Sequence, residues 1–345
     1  MMLKYTFTVN DCTETHDAPR LPRRTPRRLR PPGAAVLARR ALAELVRPYI
    51  PAAGNEPLLA LEPSAGIGRF VDAFEGQALS WMACELSRPA ALILRALHPD
   101  VSVHVGPFES WVADNVRRFG QRLALVVANP PFGERGASLY LDPDPSYREV
   151  SAASYFLRRS LDLLRKGGIG AFILPTGILT GQTGPLALLR RTVLRRHHLL
   201  LAFRLPSESR AGRPTFPGAS VVTDLVLFQA RGFELVEVPP EDEPLVEGRY
   251  YEQHPSHVLG TEERTTSGGR ERYRLIGDFE SLPVHPGAAR PLCTACAGRP
   301  YELFAPKTAE LEELPEALAD AIKLARRTSR YLSLFARQTP AALRE

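Results

Sequence analysis

Residues 126–135 read VVANPPFGER, an apolar run that hands over abruptly to Asn129, Pro130, Pro131 and Phe132. Each proline fixes its own φ and carries no N–H. The turn therefore offers acceptor oxygens in set positions beside a flat apolar ring. That combination suits a planar amine. An exocyclic amine is a poor nucleophile because its lone pair is conjugated with the ring. If the Asn129 side-chain oxygen and the Pro130 carbonyl accept its two N–H bonds, the nitrogen pyramidalises and its lone pair can attack an electrophilic carbon. Pro131 stiffens the same carbonyl, and Phe132 can stack on the base for roughly 1–3 kcal/mol. The alternative is a purely structural turn at a sheet edge.

An electrophile would need its own site. LEPSAGIGRF (61–70) places Glu62, Pro63, Ser64, Ala65, Gly66 and Gly68 straight after a short apolar run. Small residues allow close backbone approach and the glycines tolerate a tight turn. Neither the dinucleotide pattern GxGxxG nor the phosphate loop GxxxxGK[ST] occurs here. A carboxylate at the head of the loop disfavours a pyrophosphate and favours an ammonium or sulfonium charge. Glu85 closes the next apolar run, where a carboxylate can accept from both hydroxyls of a ribose. A nucleoside with a positive centre and no phosphate describes S-adenosylmethionine. No metal is implied.

The elements that must hold these residues alternate. Apolar runs at 57–62, 79–85, 101–106, 123–129, 169–175, 198–206 and 220–231 read as strands. Helical spacing appears in GAAVLARRALAELVRPYI (ended by Pro48 and Pro51), in RPAALILRALHPD, in AASYFLRRSLDLLRKGG (closed by its glycines) and in GPLALLRRTVLRR. This predicts an α/β fold with a mainly parallel, seven-stranded sheet covered on both faces. The last two strands have no helix between them and are expected to form an antiparallel edge hairpin. Ligands of such sheets sit outside the carboxyl ends of the strands, where Glu62, Glu85 and Asn129 fall. The expected organisation is a basic N-terminal segment (1–33), a catalytic domain (34–232) and a small irregular extension with a helical tail (233–345).

EPSAGIG followed by NPPFG resembles the class I methyltransferases that act on amino groups, whose Rossmann-like fold fits this element order. Asn with Phe is most typical of the adenine-N6 DNA methyltransferases. LEPSAGIGRF, ANPPFGER, FRLP, GASVVTDLVLFQ and HPSHVLG further resemble methylase domains of the large helicase–methylase proteins of phages and plasmids. The resemblance spans roughly residues 34–280. It implies a flipped DNA adenine as substrate, a helicase or target-recognition chain as partner, and a role in restriction–modification or anti-restriction. It also implies Phe108, in VGPFESW, as an aromatic touching the cofactor's adenine. Here the sequence departs from the pattern, since Pro107 replaces the usual acid; Glu109 is a candidate substitute. RPPGAAVLARRAL resembles the segment that folds against the methionine moiety. RNA amines and a protein glutamine are alternative substrates of the same chemistry, and a non-catalytic DNA-binding relic is a third reading.

The rest of the sequence bounds these readings. At 345 residues the chain can bury a sizeable core. No apolar run reaches the roughly 18–20 residues needed to span a bilayer, and the N-terminus has no secretory apolar core, so a cytoplasmic location is expected. A net charge of +6 permits an acidic partner. RLPRRTPRRLRPP (20–32) carries arginine without acid and reads equally as a phosphate-contacting arm or a solvated tail. Cys293 and Cys296 form one CxxC, half of a zinc site or a loop with two reduced thiols. His197 and His198 are placed at a helix end, as dipole caps or exposed residues. Asp224 is either structural or at the cleft, and Arg210 and Arg213 either contact phosphates or are solvated. The short region after 232 predicts low sequence specificity or recognition by a partner chain.

Overall fold

The computed structural model describes residues 34–50, 57–215, 221–267 and 270–277. The arginine-rich segment, the CxxC pair and the expected helical tail lie outside the described residues. Seven strands form one sheet: β1 Leu58–Glu62, β2 Leu79–Glu85, β3 Ser102–Val105, β4 Leu123–Ala128, β5 Leu164–Pro175, β6 His197–Leu205 and β7 Thr223–Ala230. Their order is β3-β2-β1-β4-β5-β7-β6. All run parallel except β7, which is antiparallel to both its neighbours. The mainly parallel, seven-stranded, Rossmann-like sheet with an antiparallel edge pair is thus as the residue pattern predicts.

Burial explains the apolar runs. Every residue of β4, β6 and β7 is buried, as a sheet covered on both faces demands. In β5, Phe172 and Leu174 face one core, and Ile169, Ala171 and Ile173 the other. The first core is closed by α4 (Phe108–Phe119), α5 (Ala152–Leu161) and α7 (Gly184–Arg196). The second is closed by α1 (Ala34–Val46) and α2 (Arg69–Ala73). Helix α3 (Arg88–Leu97) links β2 to β3, capped by Ser87, and the short α6 (Gly177–Thr180) follows β5. Strand order reverses between β2 and β4 on either side of β1, which opens a crevice at the carboxyl ends of β1 and β4.

Three expectations change. The helix predicted to run to the glycines at 167–168 stops at Leu161, and β5 starts at Leu164. Leu163 and Leu164 are buried, and Gly167, at φ +74°, makes an irregularity at the start of the strand instead of a helix cap. His197 and His198 open β6 and are buried, not exposed; His197 does close the end of α7, but through its backbone N–H, which donates to Val193 O. The chain beyond 232 also stays with the core: Val238, Leu245, Val246, Tyr250 and Tyr251 join the cluster under α7. There it forms α8 (Glu243–Val246), α9 (Tyr250–Gln253) and an antiparallel ribbon of β8 (Thr261–Ser267) and β9 (Arg270–Ile276). Among the described residues no helix is long and apolar enough to cross a membrane.

His198 makes the fold acid-sensitive. Its Nε2 accepts from Arg231 Nη1 at 2.7 Å. Burial, then the charge of Arg231, lowers its pKa from 6.5 to about 3. Below pH 6.5 the unfolded chain takes up a proton that the folded chain refuses. Stability present above pH 6.5 is therefore lost as pH falls toward 3, at up to about 1.4 kcal/mol per pH unit. His198→Gln, which keeps an acceptor for Arg231, is expected to flatten that slope in urea unfolding between pH 6 and 4; an unchanged slope would exclude His198 as its source.

Candidate active site

The first loop leaves β1 through Glu62, which is only 2% exposed. Among the described residues its Oε2 has no hydrogen-bond partner. Burial pushes its pKa well above the usual range, against the opposing charge of Arg39 on α1. Helix α1 is thereby tied to the head of the loop. Pro63 is buried, Ser64 half-buried, and Ala65 packs with Ala83 and Leu94. The loop is pinned by Ala65 N donating to Cys84 O at 2.9 Å and Gly68 N to Ala65 O at 2.9 Å. Gly66 and Gly68 both adopt positive φ, for different ends. A Cβ on Gly66 would meet nothing within 4 Å, whereas one on Gly68 would meet Leu94 Cδ1 at 2.5 Å. Gly66 leaves open space over the loop; Gly68 permits the packing of α3.

Glu85 closes the second side. One carboxylate oxygen accepts from Gly66 N at 2.7 Å and the other from Ser87 N at 2.7 Å. An ionised carboxylate has about four acceptor positions, so about two remain after the loop is held. Its part in shaping the Gly66 turn is not legible from spacing.

The turn after β4 lies against this loop. Ser64 Oγ donates to the Asn129 carbonyl at 3.1 Å, across 65 residues of sequence. Asn129 and Pro131 are exposed, Pro130 is buried and Phe132 half-buried. No hydrogen bond joins the Asn129 side chain to another described residue. The three carboxyl ends carrying Glu62, Glu85 and Asn129 therefore lie side by side at one edge of the sheet.

Phe108 does not join them. It is 2% exposed and surrounded by the rings of Trp111, Tyr155 and Phe156. As the first residue of α4 it points into the first core, so the aromatic placed by the resemblance on a cofactor is a core residue in this structure. Glu109 also turns inward, to Arg135, and does not substitute for the missing acid.

Spacing alone does not single out Arg135. Its Nε donates to Glu109 Oε1 at 2.9 Å, and its side chain is 1% exposed. Nη1 donates to the carbonyls of Tyr147 and Glu149, and Nη2 to that of Ser138. The guanidinium lies 3.5 Å from the centre of the Tyr155 ring. Beside it, Arg135 N donates to Val150 O and Ala152 N to Gly133 O, closing the loop 133–152 at its base. This charged plug stands three residues beyond Phe132. No local signal marks it, because Glu109 lies 26 positions away.

Asp224 is structural. It is fully buried, and both its oxygens accept from Arg204, at 3.0 and 3.3 Å. Arg210 and Arg213 are exposed in the loop after β6.

Strand order and direction decide the fold. It is the class I methyltransferase fold. No protein-family model matches the chain. Over 251 residues, 69% of the chain, it is 31% identical to Defense against restriction protein B of Escherichia phage P1, a distant homologue. That match spans 10% of the phage protein's length. A type I restriction–modification methyltransferase subunit from Streptococcus thermophilus aligns with a TM-score of 0.45 at 16% identity, over 58% of this chain and 44% of that one. A Listeria monocytogenes chain assigned to the class I S-adenosylmethionine-dependent methyltransferases aligns with a TM-score of 0.46 at 12% identity, over 59% and 61%.

Proposed function

We propose that this chain transfers a methyl group from S-adenosylmethionine to an exocyclic amine, adenine N6 in DNA. The observation that carries the reading is the contact of Ser64 with Asn129, since it brings the glycine loop and the NPPF turn to one crevice. The residues of the first loop fit the cofactor. The open space over Gly66 admits a ligand against the backbone, the spare acceptor positions of Glu85 suit ribose hydroxyls, and the buried, unpartnered Oε2 of Glu62 suits a cationic methionine end. When bound, the cofactor supplies a methyl carbon on a sulfonium.

The chain's own residues do the rest. Asn129 and Pro130 accept the two N–H bonds of the amine and turn its lone pair away from conjugation. Phe132, half-buried, stacks on the base. A duplex base must leave its stack to reach this pocket. The restriction-defence name of the phage relative supports an anti-restriction or restriction–modification setting. A helicase or target-recognition chain is the partner that this reading proposes.

Two glycine variants separate binding from folding. Gly66→Ala is expected to cost about 1 kcal/mol of stability from its positive φ, yet to weaken cofactor binding ten-fold or more because the methyl group fills the open space. Gly68→Ala is expected to cost about 1–3 kcal/mol through overpacking against Leu94. Calorimetry with S-adenosylhomocysteine and urea unfolding of both variants read the two effects. For the activity, single-molecule sequencing of host DNA after expression is expected to show N6-methyladenine that disappears with Asn129→Ala. Unmethylated DNA from a well-expressed chain that binds the cofactor would sink the DNA assignment.

A further inference from the structure

The ribbon of β8 and β9 is built unlike the rest of the molecule. Seven residue pairs align, from Thr261 with Ile276 to Ser267 with Arg270, about 23 Å of ladder at 3.3 Å per residue. From Thr261 to Arg272 the sequence TEERTTSGGRER has no apolar residue. Thr261, Glu262, Arg264, Thr265 and Thr266 are all exposed. That stretch has no apolar residue to lay on a protein core, in contrast to the buried Leu275 at the base of β9, and an isolated two-stranded hairpin is at best marginally stable in water.

Its root, by contrast, is held firmly. Ser207 N donates to Leu275 O at 2.9 Å, Leu275 N to Ser207 Oγ at 3.1 Å, and Gly277 N to Glu208 O at 3.0 Å. Arg204 Nη1 donates to Tyr273 Oη at 3.3 Å while the same guanidinium bonds Asp224 and Thr180 and stacks on Tyr251. This anchor lies at the carboxyl edge. Ala128 of β4 pairs with Phe172 of β5, and two residues further along β5, Leu174 pairs with Asp224, which pairs with Arg204. The root and the Asn129 turn thus share one edge of the sheet.

Charge is sorted along the ribbon. The acids nearest the root are engaged, Glu262 by Tyr273 and Glu263 by Arg274. From Arg264 to Arg272 there are three arginines and one glutamate, and the exposed Arg210 and Arg213 stand on the loop that holds the root. A polar two-stranded ribbon fits the major groove of B-form DNA, whose edges and phosphates arginine and threonine recognise.

We infer that the β8–β9 ribbon is a DNA-binding arm that enters the major groove beside the base offered to the Asn129 turn. The inference rests on the proposed DNA reading and deepens it. The test is a charge reversal, Arg270→Glu with Arg272→Glu, in the full chain. Fluorescence anisotropy is read with a B-form DNA duplex and an A-form RNA duplex, whose major groove is too narrow for a ribbon. S-adenosylhomocysteine calorimetry and host-DNA methylation are measured alongside. The expected result is ten-fold or more weaker DNA binding at about 0.1 M salt, with a salt slope lower by about two. Cofactor affinity and RNA binding stay within two-fold of the parent.

DNA affinity within two-fold of the parent overturns the inference, as does equal loss on both duplexes, which means diffuse charge and no groove contact. No duplex binding by the parent chain also overturns it. Host methylation by the parent chain tells the two failures apart: if N6-methyladenine persists, the arm alone is wrong, and if it is absent, the DNA reading falls with it.

Discussion

Asn129→Ala is expected to slow methyl transfer by about 10²–10³-fold while cofactor affinity stays within a factor of three. The size follows from removing one preorganised acceptor that acts on the reacting nitrogen. Binding should survive because the groups assigned to the cofactor sit on the neighbouring loop: Gly66 with its open space, Glu85 with its two backbone donors, and Glu62. Asn129 meets that loop through its backbone carbonyl, which the substitution leaves in place to accept from Ser64. Single-turnover methylation of a DNA duplex, paired with calorimetry, separates the two quantities. A rate within three-fold of the parent would show that the amide does not hold the amine. A matching collapse of cofactor affinity would show instead that the turn shapes the cofactor site.

Arg135→Ala should have the largest effect on stability, a loss of about 3–5 kcal/mol. It strands the buried Glu109 carboxylate and removes the donor for the carbonyls of Ser138, Tyr147 and Glu149. Adding Glu109→Leu is expected to recover a substantial part of that loss, since an apolar side chain then replaces the unpaired charge. Urea unfolding of the two single variants and the double one measures the coupling. Additive losses would mean that the pair does not hold the loop at its base. The same plug explains the departure at Pro107: with Glu109 drawn 2.9 Å from Arg135, that segment serves the loop behind the turn and not the crevice.

The sheet was legible because its signal is local. Buried parallel strands need continuous apolar runs, and LALVVA and TDLVLFQA have them. The covering helices repeat their apolar residues at helical spacing. The candidate residues at strand ends stand out for a similar reason: a carboxylate, a glycine turn or an Asn-Pro-Pro turn after an apolar run is contiguous in the chain. Where the structure departs from the residue pattern, the local pattern has two readings. Glycines at 167–168 suit a helix cap and a strand irregularity alike. Two histidines after a basic helix look exposed until a buried guanidinium is found beside them.

The sequence by itself determined the alternation of elements and the residue types that stand at the carboxyl ends of the strands. Only the tertiary structure decided that Ser64 touches Asn129, that β7 inserts between β5 and β6, that Phe108 and Glu109 turn inward, and that a polar ribbon is rooted on Arg204. Each of these depends on a hydrogen bond, a strand register or a buried charge pair between residues tens of positions apart. Such pairings are chosen by which groups can be desolvated together once the chain is compact, and nothing in the spacing of either partner carries that choice.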